Sequence, residues 1–315
     1  MRKAALLFNP ESGGNRARRQ AELDSALARL RRAGIETDLI LSQSREDAAQ
    51  NAQQAINRGC DTIFACGGDG TIHNLVQVLA RSQTALAILP MGTANALAHD
   101  LGLPLNPVAA AEAALHSAPR RVALGRVQFV DFTGQPGTRY FVVAAGIGVD
   151  AHLFYKFHAG TKRRIGMAAY YAKAWQLWLT HQMAWFHAEY TEKGAAQQAS
   201  LTELLAVRIR NFGGVLRELA PGASLERNDL RLVLCRTSRR SVYLRYVAQT
   251  LLGVKWQIPG VELARADRVS CRYEPPNAAI ALPQPKVYVE TDGDLLGTLP
   301  VEISIVPDAL TILVP

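Results

Sequence analysis

Cysteine is scarce in this chain of 315 residues, and the four present (Cys60, Cys66, Cys235 and Cys271) form no C-x-x-C pair. That spacing argues against a zinc site and against a disulfide framework, and it fits a reducing cytoplasm. No G-x-x-x-x-G-K-[ST] segment occurs, so the usual P-loop mechanics are excluded. Neither G-x-S-x-G nor H-E-x-x-H is present, which removes the simplest hydrolase and zinc-protease readings. "GIGVDA" (146–151) lacks the third glycine of a dinucleotide fingerprint. The opening "MRKAALLF" is apolar for only five residues before Asn9-Pro10, too short for a signal-peptide core, so a cytoplasmic location is expected. Internal repeats and low-complexity tracts are missing as well.

What is there has the balance of a globular protein: 49% hydrophobic residues against 20% charged, with length enough for two ordinary cores. The formal net charge of +8 favours an anionic partner, whether phosphate, nucleic acid or an acidic membrane surface. Without a groove-reading module or zinc finger, nucleic acid is not the expected one.

The first third alternates regularly. "AALLF" (4–8), "ETDLIL" (36–41), "DTIFAC" (61–66) and "ALAILP" (85–90) read as strands. Between them lie a helix with the stripe Leu23, Ala26, Leu27 and Leu30 that stops at Gly34, and another over about 46–58 that stops at Gly59. This alternation predicts an α/β domain over residues 1–122, built on a parallel, Rossmann-like sheet. From about residue 120 short β-like runs take over: "RYFVVAAG" (139–146), "LTELLAVRIR" (201–210), "DLRLVLCR" (229–236), "DRVSCRYE" (267–274) and "PKVYVET" (285–291). They predict a β-sandwich domain over residues 123–300, with residues 301–315 as strands that return to either domain. Helical segments are expected over 164–186 and about 239–253.

Three strand ends carry unusual loops: "NPESGG" (9–14), "GGDGT" (67–71) and "PMGTAN" (90–95). The second joins a strand to a helix, with Thr71 placed as the expected N-cap, and its glycines let peptide N–H groups face an anion. Ligands of open α/β sheets lie beyond the carboxyl ends of the strands, so these loops should converge on a nucleotide or phosphate site.

On these residues the chain resembles the bacterial lipid kinases with a diacylglycerol kinase catalytic domain, relatives of sphingosine and ceramide kinases. The resemblance rests on "NPESGG", "GGDGTIHNLV", "PMGTANALAHDL", "AAGIGVDA", "RNFGGVLRELAPGA", "DGD" and "IVPDALTILVP". It implies a NAD kinase/diacylglycerol kinase-like architecture, with an α/β nucleotide domain and a β-sandwich. It also implies transfer of the γ-phosphoryl of ATP, with Mg²⁺, to a primary hydroxyl of a diacylglycerol-like, phosphatidylglycerol-like or sphingoid lipid. The family resemblance places ATP on Asn9, Pro10, Ser12, Gly13 and Gly14, on Gly67, Gly68, Asp69, Gly70, Thr71, Ile72 and His73, and on Gly92, Thr93 and Asn95. Ser42 stands where the family usually has a nucleotide-contacting Thr.

Asp69 would bind or orient Mg²⁺ as a hard oxygen ligand, the alternative being that it shapes the turn. The family's base is the Glu of a D-G-E motif, and here the match is Asp292-Gly293-Asp294. Asp294 is thus the expected proton acceptor with Asp292 assisting, although "TDGD" is also a good hairpin turn. Arg227 stands where the family's structural Mg²⁺ has an Asp, which implies a guanidinium in place of that metal. His73-Asn74 replaces the family's usual Asn-Glu.

The expected partner is a lipid at the inner membrane face, met by peripheral contact. Segment 162–186 joins Lys162-Arg163-Arg164 to Tyr171, Trp175, Trp178 and Trp185. Its Lys173, Gln176, His181 and Gln182 make it too polar to span a bilayer, and its aromatic stripe fits either a buried core or docking on the membrane. A homodimer is compatible with all of this. Two other readings stay open: a NAD kinase, which shares the G-G-D-G loop but not, as a rule, "PMGTAN", and a nucleotide-binding or membrane-regulatory protein that transfers nothing.

Overall fold

Four apolar runs, each followed by a helix, set up the first lobe of the computed structural model, which describes residues 1–10, 16–149, 183–213, 218–254, 257–273 and 286–315. In chain order they are β1 (Lys3–Phe8), α1 (Arg16–Arg32), β2 (Glu36–Leu41), α2 (Arg45–Asn57), β3 (Thr62–Gly67), α3 (Asp69–Leu79), β4 (Ala85–Pro90), α4 (Ala96–Asp100) and α5 (Pro107–His116). The strands lie in the order β2-β1-β3-β4, all parallel. Strands β3 and β4 are buried throughout, as expected when helices cover both faces. The period of two divides the core. Ala5, Leu7, Ile63 and Ile88 pack against Ala52 and Ala55 of α2 and Ile72 and Val76 of α3. Ala4, Leu6, Phe64 and Leu89 face Leu23 and Leu30 of α1 and Ala110 of α5.

The second lobe holds β5 (Ala118–Val130), β6 (Pro136–Phe141), β7 (Ala144–Gly148), β8 (Phe186–Glu192), β9 (Ala195–Leu201), β10 (Glu203–Val207), β11 (Leu230–Cys235), α6 (Arg240–Leu252), β12 (Val261–Ala266), β13 (Arg268–Arg272), β14 (Tyr288–Thr291) and β15 (Asp294–Val314). Strands β12-β11-β10-β7-β14-β15 form an antiparallel layer. Its inner residues, such as Ile147, Leu204, Leu232 and Val289, pack against Phe186, Leu201, Val269 and Ile303 from the opposing strands, giving a β-sandwich.

One strand belongs to both lobes. Strand β15 pairs with β14 and β13 in the sandwich, and its Thr311 and Ile312 then run parallel to Ala85 and Leu86 of β4. Strand β5 follows it antiparallel from Ala118 to Val130, making a two-stranded spine. The early run "RYFVVAAG" proves to be two strands, β6 and β7. Between them the N–H groups of Val142 and Val143, with that of Ala144 opening β7, donate to the carboxylate of Asp292. Of the expected helix over 164–186, residues 164–182 lie outside the described residues, and Phe186 opens β8.

Candidate functional site

Helix α3 starts at Asp69, two residues before the expected cap at Thr71, because Gly68 is extended and its carbonyl accepts the N–H groups of Thr71 and Ile72. Gly68 is the N-cap and Thr71 lies inside the first turn. The three glycines of this loop do different work. A Cβ on Gly67 would lie 2.2 Å from Thr71 Oγ1, and one on Gly68 would lie 3.0 Å from Gly92 Cα. A Cβ on Gly92 would in turn meet Gly68 Cα at 2.4 Å, so the second and third loops touch backbone to backbone. A Cβ on Gly70 would meet nothing within 4 Å.

Asp69 ties the same two loops together. Its Oδ2 accepts the N–H of Asn95 at 3.0 Å and its Oδ1 that of Ala96 at 2.8 Å, which caps α4 from a distance. Asn95 sits at φ 51° and bonds Gly92 with both ends of its amide. Both oxygens of Asp69 are thus engaged by peptide N–H groups. No cluster of three or more His, Cys, Asp or Glu among the described residues fits a metal ion. Through its bonds to Asn95 and Ala96, Asp69 shapes the junction of the two loops.

The first turn of α3 is a ridge between two clefts. On one side a cleft of about 440 Å³ is lined by Asn9, Ser42, Arg45, Gly68, Gly70 and Thr71, beyond the carboxyl ends of β1, β2 and β3. Ser42 is buried there and accepts a hydrogen bond from Asn51 Nδ2 at 3.2 Å. On the other side a cleft of about 340 Å³ lies between the lobes, lined by Ile72, Leu97, Val142, Phe212 and Leu219 with Asp69, Glu290 and Asp292. Gly92, Thr93 and Asn95 line neither; they face a third depression beside Arg18 and Arg19. Pro10 lies next to Asn9 but lines none of the three. Ser12, Gly13 and Gly14 are outside the described residues.

The "TDGD" segment is both a turn and an acidic site. Asp292 and Gly293 join β14 to β15 with φ of 46° and 86°, both positive as a two-residue type I′ turn requires. Asp292 Oδ1 accepts the N–H groups of Val143 (3.0 Å) and Ala144 (2.9 Å), and Oδ2 accepts that of Val142 (3.0 Å). His73 Nδ1 stands 3.3 Å from the same Oδ2. The side chain of Asp292 is therefore buried and held by three peptide N–H groups, which fixes its place beside His73.

Asp294, two residues on, has its side chain 19% exposed. The buried imidazole of His73 lies between the two acids, with Nε2 3.5 Å from Asp294 Oδ2 and without a hydrogen-bond partner. Arg45 grips Asp294 with both prongs, Nη1 to Oδ2 at 2.5 Å and Nη2 to Oδ1 at 2.6 Å. Sequence reasoning missed Arg45. Its signal was there: a cation at the first position of a helix, straight after the Ser44 cap, opposes the helix dipole and asks for an anionic partner.

Farther off, Arg227 does meet an acid. Asp229 lies between the guanidinium of Arg227 (Nη2 to Oδ2 2.5 Å) and that of Arg265 (Nη1 to Oδ1 3.0 Å). Burial pushes the Asp229 carboxyl up, but the two arginines outweigh it and hold it below the ordinary carboxylate range. No described helix is long and apolar enough to cross a membrane.

Comparison with known proteins agrees with this geometry. Residues 3–127 match the diacylglycerol kinase catalytic domain, and residues 142–314 match the YegS C-terminal NAD kinase beta sandwich-like domain. A diacylglycerol kinase of Mycobacterium tuberculosis is 30% identical over 315 residues, covering 99% of this chain and 95% of the relative. One from Bacillus subtilis is 28% identical over 305 residues, covering 96% and 93%. Among solved structures, a diacylglycerol kinase from Bacillus anthracis superposes with TM-score 0.70 at 20% identity, covering 99% of this chain and 97% of that one. Yeast NADH kinase superposes with TM-score 0.52 at 10% identity, covering 100% and 84%; both likenesses speak to the fold alone. By its two matched domains and its full-length relatives, the chain belongs to the diacylglycerol kinase family of lipid kinases.

Proposed function

We propose that this kinase moves the γ-phosphoryl group of ATP onto the primary hydroxyl of a diacylglycerol-like lipid, as a peripheral protein at the cytoplasmic face of the membrane. One observation carries the reading: a glycine-rimmed cleft with a guanidinium and an apolar cleft with carboxylates meet across the first turn of α3. In the first, Gly70 leaves room for phosphate oxygens beside the peptide N–H groups that open α3, and Arg45 supplies positive charge. In the second, hydrocarbon walls suit acyl chains. Among the described residues, the ionisable groups on its lining are the acids Asp69, Glu290 and Asp292, which favour an uncharged headgroup beside them.

The acceptor oxygen attacks the γ-phosphorus, the bond to the β,γ-bridging oxygen breaks, and ADP leaves with that electron pair. Asp294 takes the hydroxyl proton once Arg45 lets go of it, while Asp292 and His73 hold the turn in place. Mg²⁺ arriving with ATP would be part of the substrate and would offset charge on its phosphates.

The test is transfer of labelled phosphate from ATP to diacylglycerol, phosphatidylglycerol, monoacylglycerol, ceramide and NAD, the lipids presented in mixed micelles. Diacylglycerol should be labelled fastest. Labelling of NAD with no lipid labelled would replace this reading with a nucleotide-kinase one.

A further inference from the structure

Helix α6 has two faces of opposite fate. Val242, Tyr243 and Tyr246 turn inward: Tyr246 Oη donates to the carbonyl of Leu219, and Tyr243 Oη meets Thr202 Oγ1 at 2.6 Å. On the opposite side Leu244, Val247 and Leu251 recur at helical spacing with 41%, 41% and 48% exposure, and Leu252 is 67% exposed. Among the described residues, half of the large hydrophobic side chains that stand in solvent lie between Leu244 and Val254. Such concentration on one short segment marks an interaction surface, with Leu244, Val247 and Leu251 on its shared helix face.

The charge around this face says what it meets. Arg239, Arg240 and Arg245 border it, and from Leu230 to Val261 the chain contains no acidic residue. An apolar stripe on a helix that carries arginines and no acidic residue is complementary to an anionic lipid leaflet, where leucines enter the acyl boundary and guanidinium groups meet phosphates. The helix also lies against the acceptor cleft. Its Tyr246 packs in one cluster with Leu205, Phe212 and Leu219, and those three residues line the apolar cleft. Building on the lipid-acceptor reading above, we propose that the exposed face of α6 docks on an anionic bilayer and brings the cleft to the membrane surface.

Vesicle co-sedimentation of the full-length protein tests this directly. The probes are phosphatidylcholine vesicles with and without about one third phosphatidylglycerol. Wild type should partition onto the anionic vesicles and, more weakly, onto the neutral ones. Leu244→Glu/Leu251→Glu, at exposed positions, should keep its circular dichroism and lose about tenfold or more in partitioning. Arg239→Gln/Arg245→Gln should lose about fivefold per charge removed, on anionic vesicles only. Unchanged partitioning of both variants overturns the proposal. So does a leucine variant that breaks a dimer in sedimentation equilibrium while vesicle binding persists, since the face would then belong to a second copy. A water-dispersed short-chain diacylglycerol separates the two readings. The leucine variant should phosphorylate it at the wild-type rate, whereas a wild type that phosphorylates no lipid overturns the kinase reading and leaves the partitioning result standing on its own.

Discussion

Arg45 and Asp294, 249 residues apart in sequence, form a two-pronged ion pair across the seam between the lobes. The pair sets the acid expected to accept the proton against a cation from the nucleotide side. Asp294→Ala should fold normally and lose about 10²-fold or more in kcat. Arg45→Ala should raise KM for ATP about tenfold while kcat holds or rises, because the carboxylate is released. Steady-state kinetics on both separates the roles; a kcat loss in Arg45→Ala as large as that in Asp294→Ala would place the guanidinium in the transition state instead.

Asp292 supports the fold as well as the site. Three buried peptide N–H groups end on its carboxylate, so Asp292→Ala should cost about 3 kcal/mol in urea unfolding. Asp292→Asn keeps one oxygen but turns an amide donor toward a donor, and should lie between wild type and Ala.

His73 bridges the two acids from a buried position. His73→Ala should reduce kcat about tenfold with KM for ATP unchanged, as a positioning group does. His73→Asn, which reaches one acid but not both, should recover part of that loss. Equal kcat in His73→Ala and wild type would reduce the imidazole to packing.

Gly70 and Gly92 separate folding from binding. Gly70→Ala adds a Cβ in open space within a helix and should stabilise by about 0.5–1 kcal/mol while raising KM for ATP about tenfold. Gly92→Ala drives a Cβ onto Gly68 Cα and Asn95 Oδ1 and should lose stability and activity together. Thermal melts beside kinetics check both.

Asp229 gives a pH signature. Its carboxyl titrates lower in the folded chain than its ordinary value near 3.9, so its contribution is complete above about pH 4 and fades as pH falls toward the folded value. Asp229→Asn should therefore show a shallower loss of stability between about pH 4 and pH 2 than wild type.

The parallel half of the fold was legible because β1, β3 and β4 are short apolar runs and their alternation with helical stripes marks the pattern; β2, "ETDLIL", is the mixed one. Strand β5 was not, since "APRRVALGRVQFV" mixes arginine with apolar residues and gains its meaning only beside β15. Among the site residues, "GGDGT" announced itself by composition, and "DGD" by its match to the family's D-G-E motif. What they do did not follow: Asp69 owes its role to peptide groups 26 and 27 residues away, and Asp292 to a strand break some 150 residues earlier. Arg45 stayed hidden because its partner comes from the far end of the chain.

Strand β15 has a mechanical consequence. With one backbone hydrogen-bonded into both sheets and β5 laid along it, a swing of one lobe against the other has to bend or twist a paired two-stranded ribbon. Release of Asp294 by Arg45 asks for no such swing, only a turn of two side chains at the rim.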